Sequence, residues 1–237
     1  VSARYKALVE GHGWKGKVAV DIGCGSGAGT LLLAGLGAKA VGIDVDPGVI
    51  ALASSRAKED GLSNARFLCA DVEGGDWRKL ARAPDGLDGV VAHLCFSREI
   101  AKHAARALRP GGVFIVRSFE KQMWKEAGGA SPFALSRAEM RALLGGLGFT
   151  IRSIEVERRT QRFSSFAAFE ADFLEIPGRR ARWEEDGRLA KLRRSFGRGN
   201  PTLTESFLVL EARKEGPAPK ARKGPRRSPR QRGRAPS

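Results

Sequence analysis

The sequence is short of cysteine and has no long apolar run. Its three cysteines form no C-x-x-C pair, so neither a disulfide framework nor a zinc site is predicted. No apolar stretch reaches the roughly eighteen residues that a membrane-spanning helix needs. No charged, apolar and small-residue signal segment opens the chain. These absences favour a cytoplasmic protein with no membrane partner and no bound metal.

Acidic residues are scarce in one region. The net charge is +16, and half of it lies in residues 214–237, where nine Lys or Arg accompany one acid. This segment has no apolar periodicity, so we predict a disordered basic tail after a single domain over 1–213. Such a tail would be either a solubilising extension or an arm that contacts RNA without sequence preference.

The most informative segment is VAVDIGCGSG, residues 18–27. Its apolar residues predict a buried strand, and the glycines at 23, 25 and 27 predict a turn that approaches a ligand closely. A helix predicted over 28–36 would point its first N–H groups at that ligand. The segment alone also fits the G-x-G-x-x-G/A dinucleotide fingerprint, with Asp44 as the ribose acid.

Four more strands follow in alternation with helices. They are predicted at 38–44, 65–71, 87–96 and 107–119, and the second and third end in Asp44 and Asp71. An open α/β sheet binds its ligand at the carboxyl ends of its strands. The order of elements is therefore βαβαβαβαβ, with acids at the ligand-bearing edge. If the glycines served only to pack a helix against a strand, these acids would not be required.

In combination, these motifs resemble the class I S-adenosylmethionine-dependent methyltransferases. The resemblance spans residues 17–214 and rests on Asp21, the G-x-G-x-G spacing, Asp44 and the LRPGG turn at 108–112. It implies S-adenosylmethionine as the cofactor and a Rossmann-like, mostly parallel sheet of seven strands in the order 3-2-1-4-5-7-6. It also implies helices on both faces and an antiparallel last strand.

The resemblance assigns cofactor contacts residue by residue. Asp21 and the turn with Gly23, Cys24, Gly25 and Gly27 would hold the methionine end, and Asp44 with Val45 the ribose. Asp71 and Val72 would contact the adenine, and His93 and Leu94 would lie beside the sulfonium. A second acid, Asp46, departs from the family pattern near the ribose.

Catalytic residues are fewer. His93 is the candidate general base, because it ends a strand and an unperturbed imidazole titrates near neutral pH. Cys95 could instead be a nucleophile toward a pyrimidine, although packing is the simpler interpretation for Cys24, Cys69 and Cys95. Ser97, Glu120 and Trp124 follow strands four and five and are further candidates for the acceptor pocket.

Beyond the fifth strand, the sequence predicts a helix opened by a Ser136–Glu139 capping box and a sixth strand over 149–157. The final strand is predicted over 204–212. A helical insertion of about 159–200 precedes it, with amphipathic helices at 164–176 and 182–196. The insertion is a candidate substrate lid, while its mixed arginines and acids are typical of a solvated surface.

The acceptor is indicated mainly by what is missing. No Asn/Asp-Pro-Pro-Tyr/Phe motif follows the fourth strand, where HLCFS stands, so exocyclic amines of nucleic-acid bases are not favoured. We therefore expect a methyltransferase that acts on O, N or C of a small-molecule metabolite. The alternatives are an RNA or protein methyltransferase that uses the basic tail, and a protein that binds the cofactor without catalysis.

Overall fold

A computed structural model describes residues 2–129 and 132–216 of the chain. The basic tail predicted over 214–237 lies outside the described residues from position 217 onward. Lys214 belongs to the last strand, where its Nζ donates a hydrogen bond to the Leu147 carbonyl at 2.8 Å. The folded domain therefore extends slightly beyond the predicted limit at 213.

The described residues contain one seven-stranded sheet in the order β3-β2-β1-β4-β5-β7-β6, which confirms the expected fold class. The first five strands are parallel, and β7 pairs antiparallel with both β5 and β6. The strands are β1 Val18–Ile22, β2 Lys39–Asp44, β3 Ala65–Cys69, β4 Leu87–His93, β5 Leu108–Phe119, β6 Phe149–Arg162 and β7 Thr202–Lys214.

Helices cover both faces of this sheet. They are α1 Ala3–Glu10, α2 Ala28–Gly35, α3 Pro47–Glu59, α4 Trp77–Ala81, α5 Arg98–Ala107, α6 Arg137–Gly146, α7 Phe166–Phe173, α8 Arg179–Glu185 and α9 Arg188–Gly197, with a 3-10 turn at Lys125–Ala127. The capping box of Ser136 and Glu139 is present at the start of α6. The first helix, α1, had no signal in the sequence analysis.

Several predicted boundaries differ from the structure. Strand β4 was expected to reach residue 96 and ends at His93, and β7 is two residues longer at each end than predicted. Strand β6 runs five residues further than expected, because it stays paired with β7 as far as Arg162 and Thr202. The helix predicted over 182–196 is two helices, since Gly187 has a left-handed φ of 73° and separates α8 from α9. The third strand ends at Cys69, so Asp71 lies two residues beyond it.

Alternation along the strands produces two apolar faces. Val20 and Val90 lie in the larger core, which α4, α5 and α6 cover. Val91 and Ile115 face the other way, toward Tyr5 of α1. A third cluster lies mainly in the insertion, which comprises residues 163–201 in the structure, and also includes Ala127 and Leu203. The helices are therefore positioned by apolar contacts, and the polar ends of the strands are left for the site.

No helix of the described ranges, 2–129 and 132–216, has both the length and the apolar character required to cross a bilayer.

Candidate functional site

The glycine-rich turn after β1 is built from three left-handed residues, with φ of 63° at Gly23, 51° at Gly25 and 90° at Gly27. A Cβ at Gly23 would lie 2.5 Å from Cys95 Cβ, and one at Gly27 would lie 2.9 Å from Ala53 Cβ. A Cβ at Gly25 would meet nothing within 4 Å. Gly23 and Gly27 therefore serve the packing of the turn against the protein, and only Gly25 presents bare backbone to open space.

The two neighbouring acids after β2 have separate tasks. Asp44 Oδ2 accepts a hydrogen bond from the Gly25 amide at 2.9 Å, and its Oδ1 accepts from the Asp46 amide at 3.1 Å. Asp46 Oδ1 accepts from the Gly48 amide at 2.7 Å and caps α3. Asp44 thus connects the end of β2 to the glycine turn, while Asp46 is occupied by the helix.

Asp21 is buried beneath the same turn. It is 3% exposed, and its Oδ2 accepts a hydrogen bond from Thr30 Oγ1 at 2.9 Å. Burial disfavours the carboxylate and raises the pKa of Asp21 to about 7, although the hydrogen bonds from Thr30 act in the opposite direction. Near neutral pH this residue is therefore a mixture of acid and carboxylate that a nearby positive charge would ionise.

The predicted adenine residues lie on an exposed loop. Asp71 Oδ1 accepts a hydrogen bond from the Glu73 amide at 2.9 Å, and the Val72 carbonyl accepts from Trp77 Nε1 at 2.9 Å. Next to the carboxyl end of β2, Val45 is 70% exposed. Exposed apolar surface at this edge is suited to cover a nucleoside.

The cysteines do not form a nucleophilic centre. Burial raises the pKa of Cys24 to about 12 and that of Cys95 to about 11, and the nearby acids add to the effect. The reactive species of a cysteine is its thiolate, which is scarce at these values near neutral pH. Cys69 is exposed and its thiol contacts the Val45 carbonyl. The packing interpretation is therefore favoured for Cys95.

His93 ends β4 under the first helix. Its ring centroid is 5.1 Å from that of Tyr5, and within the described residues its buried Nε2 has no hydrogen-bond partner. Burial, with the positive charge of Arg117 next, lowers the pKa of His93 to about 4. The imidazole is consequently neutral at physiological pH. Its proton affinity is much weaker than a general base working at neutral pH requires.

Leu94 follows His93 and leads into a cavity of about 380 Å³, which we call the insertion cavity. Leu94 is 42% exposed with φ of 61°, and its amide donates to the Arg117 carbonyl at 2.7 Å. The cavity is lined by Leu94, Phe119, Trp124, Arg179, Arg182, Trp183, Asp186, Arg188, Glu205 and Phe207. It thus joins the carboxyl ends of β4 and β5 to the insertion.

Of the three pocket residues expected from the sequence, Trp124 lines this cavity and the other two do not. Ser97 caps α5 and donates to Glu73. Glu120 is buried and accepts hydrogen bonds from Ser206 Oγ at 2.7 Å and Arg158 Nη2 at 3.2 Å. Both residues therefore have structural tasks.

Some residues of this region escaped the sequence analysis. Tyr5 lies on a helix that had not been expected, although it is the single tyrosine of the chain. Arg179 and Arg182 were interpreted as part of a solvated surface, and Arg188 was not singled out. Only the path of the insertion brings these arginines to the strand ends. Two further cavities, of about 290 and 430 Å³, surround α4 and include none of the cofactor residues named above.

Comparisons with known proteins agree with this geometry. Residues 14–172 match the family described as methyltransferase domain. A 23S rRNA (uracil(1939)-C(5))-methyltransferase of Edwardsiella ictaluri is 31% identical over 154 residues, which are 64% of this chain and 32% of that protein. A ubiquinone biosynthesis O-methyltransferase of Methylococcus capsulatus is 28% identical over 73% of this chain and 63% of its own length. The chain spans from about a third to just under two thirds of these relatives.

Solved structures share the fold. A phosphoethanolamine N-methyltransferase from Haemonchus contortus, in complex with S-adenosyl-L-methionine, superposes with a TM-score of 0.59 at 17% identity, covering 91% of this chain and 53% of that one. A [4+2]-cyclase superposes with a TM-score of 0.62 at 22% identity, covering 90% and 81%. The same architecture is therefore shared by proteins that are named for different activities.

Proposed function

The chain belongs to the class I S-adenosylmethionine-dependent methyltransferase family, and from this premise we propose that it methylates an O, N or C nucleophile of a small-molecule metabolite. When bound, S-adenosylmethionine supplies an electrophilic methyl group on a sulfonium. The residues that hold, align and shield the reactants are contributed by the chain.

The edge of the sheet fits this cofactor. Gly25 offers open backbone, and the Asp44 carboxylate is anchored beside it. Val45 and Leu94 add exposed apolar surface to the strand ends on either side. We propose the cofactor contacts that the resemblance assigned: Asp21, Gly23, Cys24, Gly25, Gly27, Asp44, Val45, Asp71, Val72, His93 and Leu94.

The observation that carries the small-molecule proposal is the insertion cavity. Leu94 belongs both to the proposed cofactor contacts and to the lining of this cavity. Its volume of about 380 Å³ falls within the range of metabolite pockets, roughly 300 to 1,000 Å³. An acceptor bound there would lie next to the proposed position of the sulfonium.

Methyl transfer is an in-line displacement, so alignment and the exclusion of water are the main contributions of the protein. Residues of the insertion line the cavity and would shield a bound acceptor from solvent. We propose that the neutral imidazole of His93 accepts a hydrogen bond from a neighbouring group and holds that group in position. Removal of a proton by His93 would be a smaller contribution because of its depressed pKa.

Methylation of RNA is the second candidate function. It is supported by the 31% identity to a 23S rRNA methyltransferase and by the nine Lys or Arg of residues 214–237. Binding of the cofactor without catalysis is the third candidate. The fold does not by itself require methyl transfer, since a [4+2]-cyclase, whose named reaction is a different one, has the same architecture.

Incubation with labelled S-adenosylmethionine and fractionated cell extract tests these candidates together. We expect label in a small-molecule fraction, at equal rates for the full chain and for a chain that ends at Gly216. Label in RNA that depends on residues 217–237 would establish the second function instead. An Asp44→Ala variant is the control for incorporation that does not depend on the cofactor site, and absence of any label despite cofactor binding would favour the third.

A further inference from the structure

The walls of the insertion cavity are aromatic. Trp124 and Trp183 lie with ring centroids 5.1 Å apart at 66°, and Phe119 is 5.7 Å from Trp124. Phe207 lies 6.0 Å from Phe119 and completes the wall. Side chains of this kind provide flat apolar surfaces against which a planar ring packs well. The guanidinium of Arg188 lies 5.2 Å from the Trp124 centroid and 5.8 Å from the Trp183 centroid, so a planar ligand would lie beside Arg188 or displace it.

The charges of the cavity do not cancel. Three arginines and two acids line it. Arg188 Nε pairs with Asp186 Oδ2 at 3.1 Å. Among the described residues Arg179 has no ion pair; burial lowers its pKa, and the charge of Glu205 acts in the opposite direction. Arg182 donates from Nε to the Gly178 carbonyl at 3.2 Å, and no carboxylate of the described residues forms an ion pair with it. One positive charge is therefore left at the cavity.

Backbone strain marks the same place. Leu94 and Trp124 are two of the three described non-glycine residues with positive φ, at 61° and 54°. Such conformations are strained for residues with a side chain and concentrate at functional sites. In addition, the indole Nε1 of Trp124 is buried and has no hydrogen-bond partner among the described residues.

We propose that the methyl acceptor is a planar aromatic molecule with a single carboxylate, which lies against Trp124 and Trp183 and pairs with Arg182. A carboxylate matches the fork of a guanidinium and neutralises one charge, whereas a phosphate monoester carries nearly two. The proposal rests on the proposed function, because it names the class of acceptor for the same site.

Ligand titrations of the full chain, saturated with S-adenosylhomocysteine, test this assignment. The probes are 4-hydroxybenzoate, its neutral analogue 4-hydroxybenzamide, and 4-hydroxyphenyl phosphate. Their binding is measured by calorimetry and by quenching of tryptophan fluorescence. We expect the carboxylate to bind at least tenfold more tightly than the amide and more tightly than the phosphate. Arg182→Gln should weaken carboxylate binding by about tenfold and leave amide binding unchanged.

Arg194→Gln is the matched control, because Arg194 is an exposed arginine of α9 that does not line the cavity. It should leave all three affinities unchanged. Equal affinity for carboxylate and amide, stronger binding of the phosphate, or an unaffected Arg182→Gln variant would each overturn the proposal. Failure of S-adenosylhomocysteine itself to bind, measured first, would instead refute the proposed function.

Discussion

The carboxyl ends of β1 to β4 with the loops that follow them, which we call the cofactor edge, lie next to the insertion at one end of the sheet. Different interactions stabilise the two regions. At the cofactor edge, short loops are fixed by hydrogen bonds such as that from the Gly25 amide to Asp44. In the insertion, an aromatic cluster surrounds Phe169, which is fully buried. The first region depends on turn geometry and backbone hydrogen bonds, and the second on the packing of aromatic side chains.

This difference suggests that the two halves of the site can be altered separately. The insertion has its own apolar cluster, distinct from the two clusters of the sheet. Both regions contribute residues to the cavity that Leu94 lines. Acceptor binding should therefore respond to changes in the insertion that leave cofactor binding intact.

The largest expected effect comes from Phe169→Ala. Phe169 stacks on Phe173 at a centroid distance of 5.4 Å, and truncation of a buried Phe costs about 3 to 5 kcal/mol. We expect faster hydrogen exchange in the insertion and loss of acceptor binding, with S-adenosylhomocysteine affinity changed less than twofold. Ile176→Ala, at a half-exposed position, is the control. A tenfold loss of cofactor affinity would show that the two regions are not independent.

At the cofactor edge, Asp44→Ala should lower the affinity for S-adenosylmethionine by about 10- to 100-fold, because the ribose and the Gly25 amide would both lose a partner. The control is Asp46→Ala, which changes the acid two residues further along the chain and removes only a helix cap. That change should cost about 1 kcal/mol of stability and little affinity. Calorimetry and thermal unfolding separate the two, and equal losses of affinity would contradict the assignment.

The third prediction concerns pH. Asp21 has a pKa of about 7, so it is mostly neutral below that pH and ionised above it. An ionised Asp21 attracts the positive ammonium of the methionine end, so S-adenosylhomocysteine affinity should rise by up to about tenfold from pH 6 to pH 8. Asp21→Asn should give a flat profile. Affinity that is independent of pH in the unmodified chain would place Asp21 away from the ligand.

The smallest effect is expected for His93→Asn. Because the pKa of His93 lies near 4, we expect less than a tenfold fall in the transfer of label to the acceptor fraction. Tyr5→Phe, which removes the neighbouring hydroxyl and keeps the ring, is a matched control for packing. A loss of a hundredfold or more for His93→Asn alone would instead support His93 as the general base. Catalysis would then depend on the cofactor edge more strongly than we expect.

Much of the cofactor edge could be predicted because its signals are local. The glycine spacing, the acids after successive strands and the capping box each depend on neighbouring residues. The role of Asp46 as a helix cap was not predicted, and the hydrogen bonds distinguish it from Asp44 at the end of β2. Similarly, the requirement for Gly23 comes from Cys95, about seventy residues further along the chain.

The order of the strands, the family and the edge proposed for the cofactor could be derived from the sequence, because strand periodicity and turn chemistry are short-range properties. Two features required the three-dimensional fold: Arg182 and Trp183 line one cavity with Leu94 and Trp124, and burial lowers the pKa of His93. Contacts across the fold depend on the path of the whole insertion, and desolvation depends on everything packed around a group. Neither is encoded in a local pattern of residues.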